Sequence, residues 1–160
     1  MIAAQTMLQI FVASIVFATS AACEAIAEEV PMGLFTVTLP VIAILNDNLY
    51  IGDAVAHFNR TGTITLRSVL DPKDRCVGSF RFTNLKTGLA DMRCDDGVEA
   101  QLSFNALSVF SGYGYGSTPK GPASFTFGLG AEEAAAHLMV PQGRKLVQRS
   151  DGLRLESIRP

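Results

Sequence analysis

Tryptophan is missing from this 160-residue chain, histidine occurs twice and cysteine three times, and neither lysine nor arginine appears before Arg60. Residues 1–59 carry only Glu24, Glu28, Glu29, Asp47 and Asp53, while all 13 basic side chains lie beyond them. The net charge of −2 argues against a nucleic-acid partner, which asks for a dense basic face. Two histidines and no C-x-x-C pair argue against a zinc site. No G-x-S-x-G, H-E-x-x-H or phosphate-loop pattern occurs, so neither a cofactor nor a metal is expected and a binding or structural role is favoured over catalysis. The length fits one domain with a single core.

What is present begins with an apolar run. Residues 1–22 contain no charged side chain, and MLQIFVASIVFA at 7–18 is interrupted only by Gln9 and Ser14. Small residues and then acids follow, the pattern of an export signal. A membrane span wants about 20 apolar residues, so this run is short for one. The segment before it, MIAAQT, lacks the usual Lys or Arg. Ala25-Ile26-Ala27 fits small-x-small processing with a soluble chain starting at Glu28. Ser20-Ala21-Ala22-Cys23 resembles the lipobox of bacterial lipoproteins, with Ser20 where Leu is usual. The resemblance implies that Cys23 becomes the lipidated first residue, and it gives an odd exported cysteine a role. The expected organisation is a signal peptide at 1–22, a tether at 23–32 and one β-rich domain at 33–160. The expected location is the periplasm or cell envelope, with the membrane engaged through a lipid anchor.

The other two cysteines bracket CVGSFRFTNLKTGLADMRC. Folding this stretch about Leu85 sets Cys76 opposite Cys94 and Phe82 opposite Gly88, with Asn84 to Gly88 supplying turn chemistry. An inter-strand disulfide is the expectation, in keeping with an oxidising compartment. Two buried thiols are the alternative.

Turn signals recur every 8–12 residues along the domain. Residues 34–45 are apolar and β-branched, broken by Pro40, which predicts a strand with a bend or bulge there. Residues 49–58 place Tyr50, Gly52, Ala54, Ala56 and Phe58 on one face. Residues 63–70 return as TITLRSVL, the cysteine hairpin follows, and 98–104 and two further extended runs lead to Gly128. This rhythm predicts a mainly β fold, a single antiparallel β-sandwich or small closed barrel of about eight strands. A transmembrane barrel is disfavoured, because the strands bear charge and lack aromatic belts. AEEAAAHLM at 131–139 is the one good helix, and two short extended pieces, 145–148 and 153–158, follow it.

GYGYG at 112–116 is the most distinctive segment. On a strand its glycines share one face, open to close approach, and Tyr113 and Tyr115 share the other. Tyrosine rings with polar tips suit packing or a platform for an envelope glycan or protein. Asp53 and His57 share a strand face about 13 Å apart, beyond hydrogen-bond reach. Glu133 and His137 lie one helical turn apart. Asp91, Asp95, Asp96 and Glu99 fail the calcium-loop spacing because Arg93 occupies a ligand position. The expected function is an exported, lipid-anchored envelope domain with a binding or structural role. A soluble periplasmic hydrolase built around His57 and a chaperone-like periplasmic module are the alternatives.

Mass spectrometry of the native protein should find an acylated N-terminus at Cys23. A chain starting at Glu28 would remove the lipid and leave export standing; a retained Met1 would remove both.

Overall fold

A computed structural model describes residues 36–159; the signal, Cys23 and the tether lie outside the described residues. Eight strands follow one another as hairpins: β1 (Thr36–Leu45), β2 (Asn48–His57), β3 (Thr61–Ser68), β4 (Arg75–Phe82), β5 (Thr87–Cys94), β6 (Glu99–Ala106), β7 (Gly112–Thr118) and β8 (Gly121–Phe127). Each pairs antiparallel with the next, and β1 closes on β8 from Val41↔Phe127 to Leu45↔Ala123. The fold is therefore a closed barrel. Helix α1 (Ala131–Ala135) and a separate hairpin, β9 (Arg144–Arg149) and β10 (Gly152–Ser157), complete it.

Period-two alternation sends one set of side chains into the lumen and the other to the wall. Val41, Ala43, Leu45, Tyr50, Ile64, Leu66, Met92, Leu102, Phe104 and Phe125 fill the inside. Asp53, Arg67, Arg81, Asp91 and Arg93 stand exposed outside. That polarity is the reverse of a transmembrane barrel, whose outer band is apolar.

The lumen is packed by alternating sizes. One row of paired residues runs through all eight strands as Phe82, Gly88, Phe104, Gly114, Phe125, Ala43, Tyr50 and Ser68. An aromatic ring alternates with a small residue at every step, the device by which a small barrel fills its taper. The glycines are obligatory here. A Cβ at Gly88 would lie 2.2 Å from the Phe104 ring, and one at Gly114 2.3 Å from Phe125. Phe104 is the hub, meeting Phe82 edge-on at 5.0 Å and Phe127 at 5.9 Å between centroids.

At the opposite end the lumen holds the Cys76–Cys94 disulfide, at the register set by folding about Leu85, with Phe82 opposite Gly88 as expected. Both cysteines are buried. Tyr50, paired with Ser68 at the end of β3, donates its hydroxyl to Asp74 Oδ2 at 2.6 Å. Burial first, and then Asp74, push its pKa above the ordinary tyrosine range, so it stays a neutral donor.

Three local expectations are corrected. Pro40 makes no break, because β1 runs through it. Its carbonyl accepts Gly128 N–H at 2.8 Å, and its nitrogen faces the same way, past the end of β8, where no strand asks for a donor. Phe58 is not on the inner face: β2 ends at His57, and the turn carrying Arg60 at positive φ leaves Phe58 86% exposed. The helix spans only 131–135, since Gly130 supplies no side-chain cap and five residues give one turn's worth of hydrogen bonds.

Not all of the outer wall is polar. Ile42, Ile44 and Leu49 face outward and are covered by Ala134, Leu138 and Leu153 of the C-terminal segment. Ser124 Oγ accepts Met139 N–H at 2.9 Å and holds that segment down.

Gly88→Ala should destabilise the domain by about 1–3 kcal/mol through overpacking. Gly130→Ser, where a Cβ meets nothing within 4 Å and a cap is gained, should be neutral or stabilising. Equal melting temperatures for the two variants would refute the packing argument. Alkylation of the folded protein should leave Cys76 and Cys94 unlabelled. Cys76→Ala should cost about 3 kcal/mol, the chain-entropy value for a loop of this size, seen as a lower melting temperature.

Candidate functional site

The same glycines that admit the rings decide where the tyrosines go. Gly112 and Gly114 are buried against Phe127 and Phe125, so Tyr113 and Tyr115 must point outward. Tyr115 is 40% exposed and Tyr113 is half-buried. Their ring centroids lie 5.5 Å apart with the planes tilted by 57°. His137 stacks on Tyr113 at 4.5 Å and 11°, which gives a strip of three rings along the wall.

Hydrogen-bonding side chains flank the strip on one side. Asn105 pairs with Tyr113, Ser103 with Tyr115 and Gln101 with Ser117, and all four polar residues are exposed. On the other side Ser124 and Thr126 pair with the tyrosines but are buried under the C-terminal segment. The strip thus lies at the foot of a step, with a polar sheet on one flank and residues 137–139 on the other. Rings with hydroxyl tips beside amides and hydroxyls offer both flat apolar faces and directional polar contacts.

His137 is the site residue that sequence reasoning missed. It was expected to face Glu133 one helical turn away, but the helix ends before it and its ring joins Tyr113. The flanking polar set was missed as well, although the signal was there: β6 alternates Gln101, Ser103 and Asn105 with Ala100, Leu102 and Phe104.

His57 lies elsewhere, on β2, lining a shallow groove of about 310 Å³ with Thr63, Ser79, Arg81 and Asp91. A neighbouring groove of about 370 Å³ shares Ser79 and Asp91. Polar side chains in register, Thr63↔Ser79↔Asp91↔Gln101, make this belt. The His57 Nδ1 is buried with no hydrogen-bond partner among the described residues. A catalytic imidazole is ordinarily oriented by an acceptor at one nitrogen. Asp53, outward on the same strand, does not supply it.

The acidic turn is engaged with protein. Asp96 accepts Val98 N–H at 3.0 Å and the Lys120 ammonium at 3.1 Å, which together hold its carboxyl below the usual range. Glu99 pairs with Arg93 at 2.6 Å. Among the described residues no three His, Cys, Asp or Glu side chains come together as metal ligands. Among the described residues a void of about 40 Å³ opens in the lumen beside Leu39, Phe80, Phe82, Phe104, Val109 and Phe127, far below the roughly 300 Å³ that a small-molecule pocket needs.

Comparison with known protein families, curated proteins and solved structures finds no match to the chain.

Proposed function

We propose that this protein is an exported, membrane-tethered β-barrel of the cell envelope whose wall recognises an envelope glycan through Tyr113, Tyr115 and His137. The observation that carries the reading is the three-ring strip itself: partly exposed, backed by a close-packed wall and edged by Gln101, Ser103, Asn105 and Ser117. A sugar ring presents apolar C–H faces and a rim of hydroxyls. Flat aromatic rings match the first, and amide and hydroxyl side chains match the second. The backing matters as much as the rings, because a platform fixed by the sheet beneath loses little freedom on binding.

The apolar run at 7–18 and the lipobox-like Ser20–Cys23 support export and anchoring, and a buried disulfide suits an oxidising compartment. His57 supports catalysis poorly, since its Nδ1 has no acceptor to orient it.

Titration with defined cell-wall glycan fragments is the test. Tyr115→Ser should weaken binding about tenfold, equivalent to roughly 1.4 kcal/mol, with an unchanged melting temperature because that ring is 40% exposed. His137→Ala should weaken binding as well by freeing Tyr113. Unaltered affinity in both variants would sink the platform, and binding of an envelope protein in place of glycan would reassign its partner.

A further inference from the structure

The two ends of the barrel are chemically opposite. Four turns cap one end: residues 46–47, 69–74, 95–98 and 119–120. They carry Asp47, Asp71, Asp74, Asp95 and Asp96 against Lys73 and Lys120. Their exposed large apolar side chain is Leu70. The other end is capped by residues 58–60, 83–86 and 107–111. These three loops contain no acid and two cations, Arg60 and Lys86. They also present Phe58, Leu85 and Val109, each more than 80% exposed, with Leu107 and Phe110 more than half exposed.

Adjacent loops at this end are tied together. Phe82 N–H donates to the Arg60 carbonyl at 2.9 Å, and Ala106 N–H to the Lys86 carbonyl at 2.7 Å. The Arg60 guanidinium lies 5.0 Å above the Phe82 ring and donates to the Asn84 carbonyl. The apolar tips therefore stand on a braced rim. Val109 also edges the lumen beside Phe82 and Phe104, but most of its surface and of Leu85 stays in solvent, and exposed apolar side chains grouped in this way mark an interaction surface. The nearest acids along the chain are Asp53, five residues before Phe58 on β2, and Asp91, five residues beyond Lys86 on β5, and both stand on the outer wall below the loops.

The chain enters the barrel at this same end, because Thr36 pairs with His57. Cys23 lies thirteen residues before Thr36, a reach of at most about 45 Å even when extended. We propose that this rim docks on an anionic lipid surface, with Leu85, Val109 and Phe110 entering the headgroup–acyl boundary and Arg60 and Lys86 meeting the phosphates. Apolar tips beside cations are the pattern of interfacial binding, and the three loops themselves bring no acid to repel anionic headgroups, the tether's Glu24, Glu28 and Glu29 lying before the barrel begins. The proposal rests on the tethered reading for where the bilayer lies. It adds that the barrel stands on the membrane by one end, leaving its wall free for a ligand.

The chain's lack of tryptophan gives a clean reporter. Val109→Trp and, at the opposite end, Leu70→Trp are made separately in the full chain and mixed with phosphatidylglycerol or phosphatidylcholine vesicles. The Val109→Trp emission should shift to shorter wavelength and be quenched by brominated acyl chains, more in phosphatidylglycerol, while Leu70→Trp should show neither change. Arg60→Gln with Lys86→Gln should remove the lipid preference, and Leu85→Asp with Phe110→Asp should remove the shift without lowering the melting temperature. Equal, water-like emission from both reporters on vesicles that carry the protein would overturn the proposal. A blue-shifted Val109→Trp signal before lipid is added would overturn it too, in favour of a second copy on the rim. Failure of the tether is separately visible, as a chain with no acyl group at Cys23.

Discussion

The seating of Phe104 between Gly88 and Gly114 is the contact on which the rest of this fold depends. Eight strands enclose a lumen too narrow for bulky side chains on every neighbouring strand, and too wide for small ones alone. Alternating Phe82, Phe104, Phe125 and Tyr50 with Gly88, Gly114, Ala43 and Ser68 satisfies both limits at once. It also pins the register. Sliding β7 by one residue would turn its tyrosines into the lumen and its glycines to solvent, losing both the core and the outer strip. Core packing and the candidate binding face are thus two readings of one alternation.

A second dependence runs through β1. Its inner face serves the lumen, but its outer face carries Ile42 and Ile44, which a solvated wall does not tolerate. The C-terminal segment exists to cover them, and in doing so it brings His137 over Tyr113. The candidate site is a by-product of sealing the barrel's most apolar strand. That is why its third ring comes from a part of the chain with no local relation to the other two.

Much of this was legible because it is local. Each hairpin carries its own turn chemistry, and a two-residue period assigns its faces, so the eight strands, the Cys76–Cys94 register and the opposed Gly and Tyr faces of β7 could be read directly. Closure was not, because nothing near Val41 specifies Phe127 as its partner; a sandwich and a barrel share every hairpin and differ in that one long-range pairing. Pro40 was misread for the same reason: whether its missing N–H matters depends on where β8 stops. Phe58 and His137 failed differently. Phe58 sits one residue beyond β2 and His137 two beyond α1, and frayed ends are set by tertiary contacts more than by pattern.

The pairing of β1 with β8 also orders the birth of the molecule. Of the barrel strands a growing chain displays TVTLPVIAIL first, yet the strand that seals one edge of it lies some eighty residues later and the segment that covers its back later still. Successive hairpins can form as they appear, but the sheet stays an open, sticky ribbon until β8 arrives. Nascent barrels of this kind are most vulnerable to one another just before completion, when seven strands are folded and two edges are bare. Whatever escorts the chain through synthesis has to hold that first strand apart until the last one reaches it.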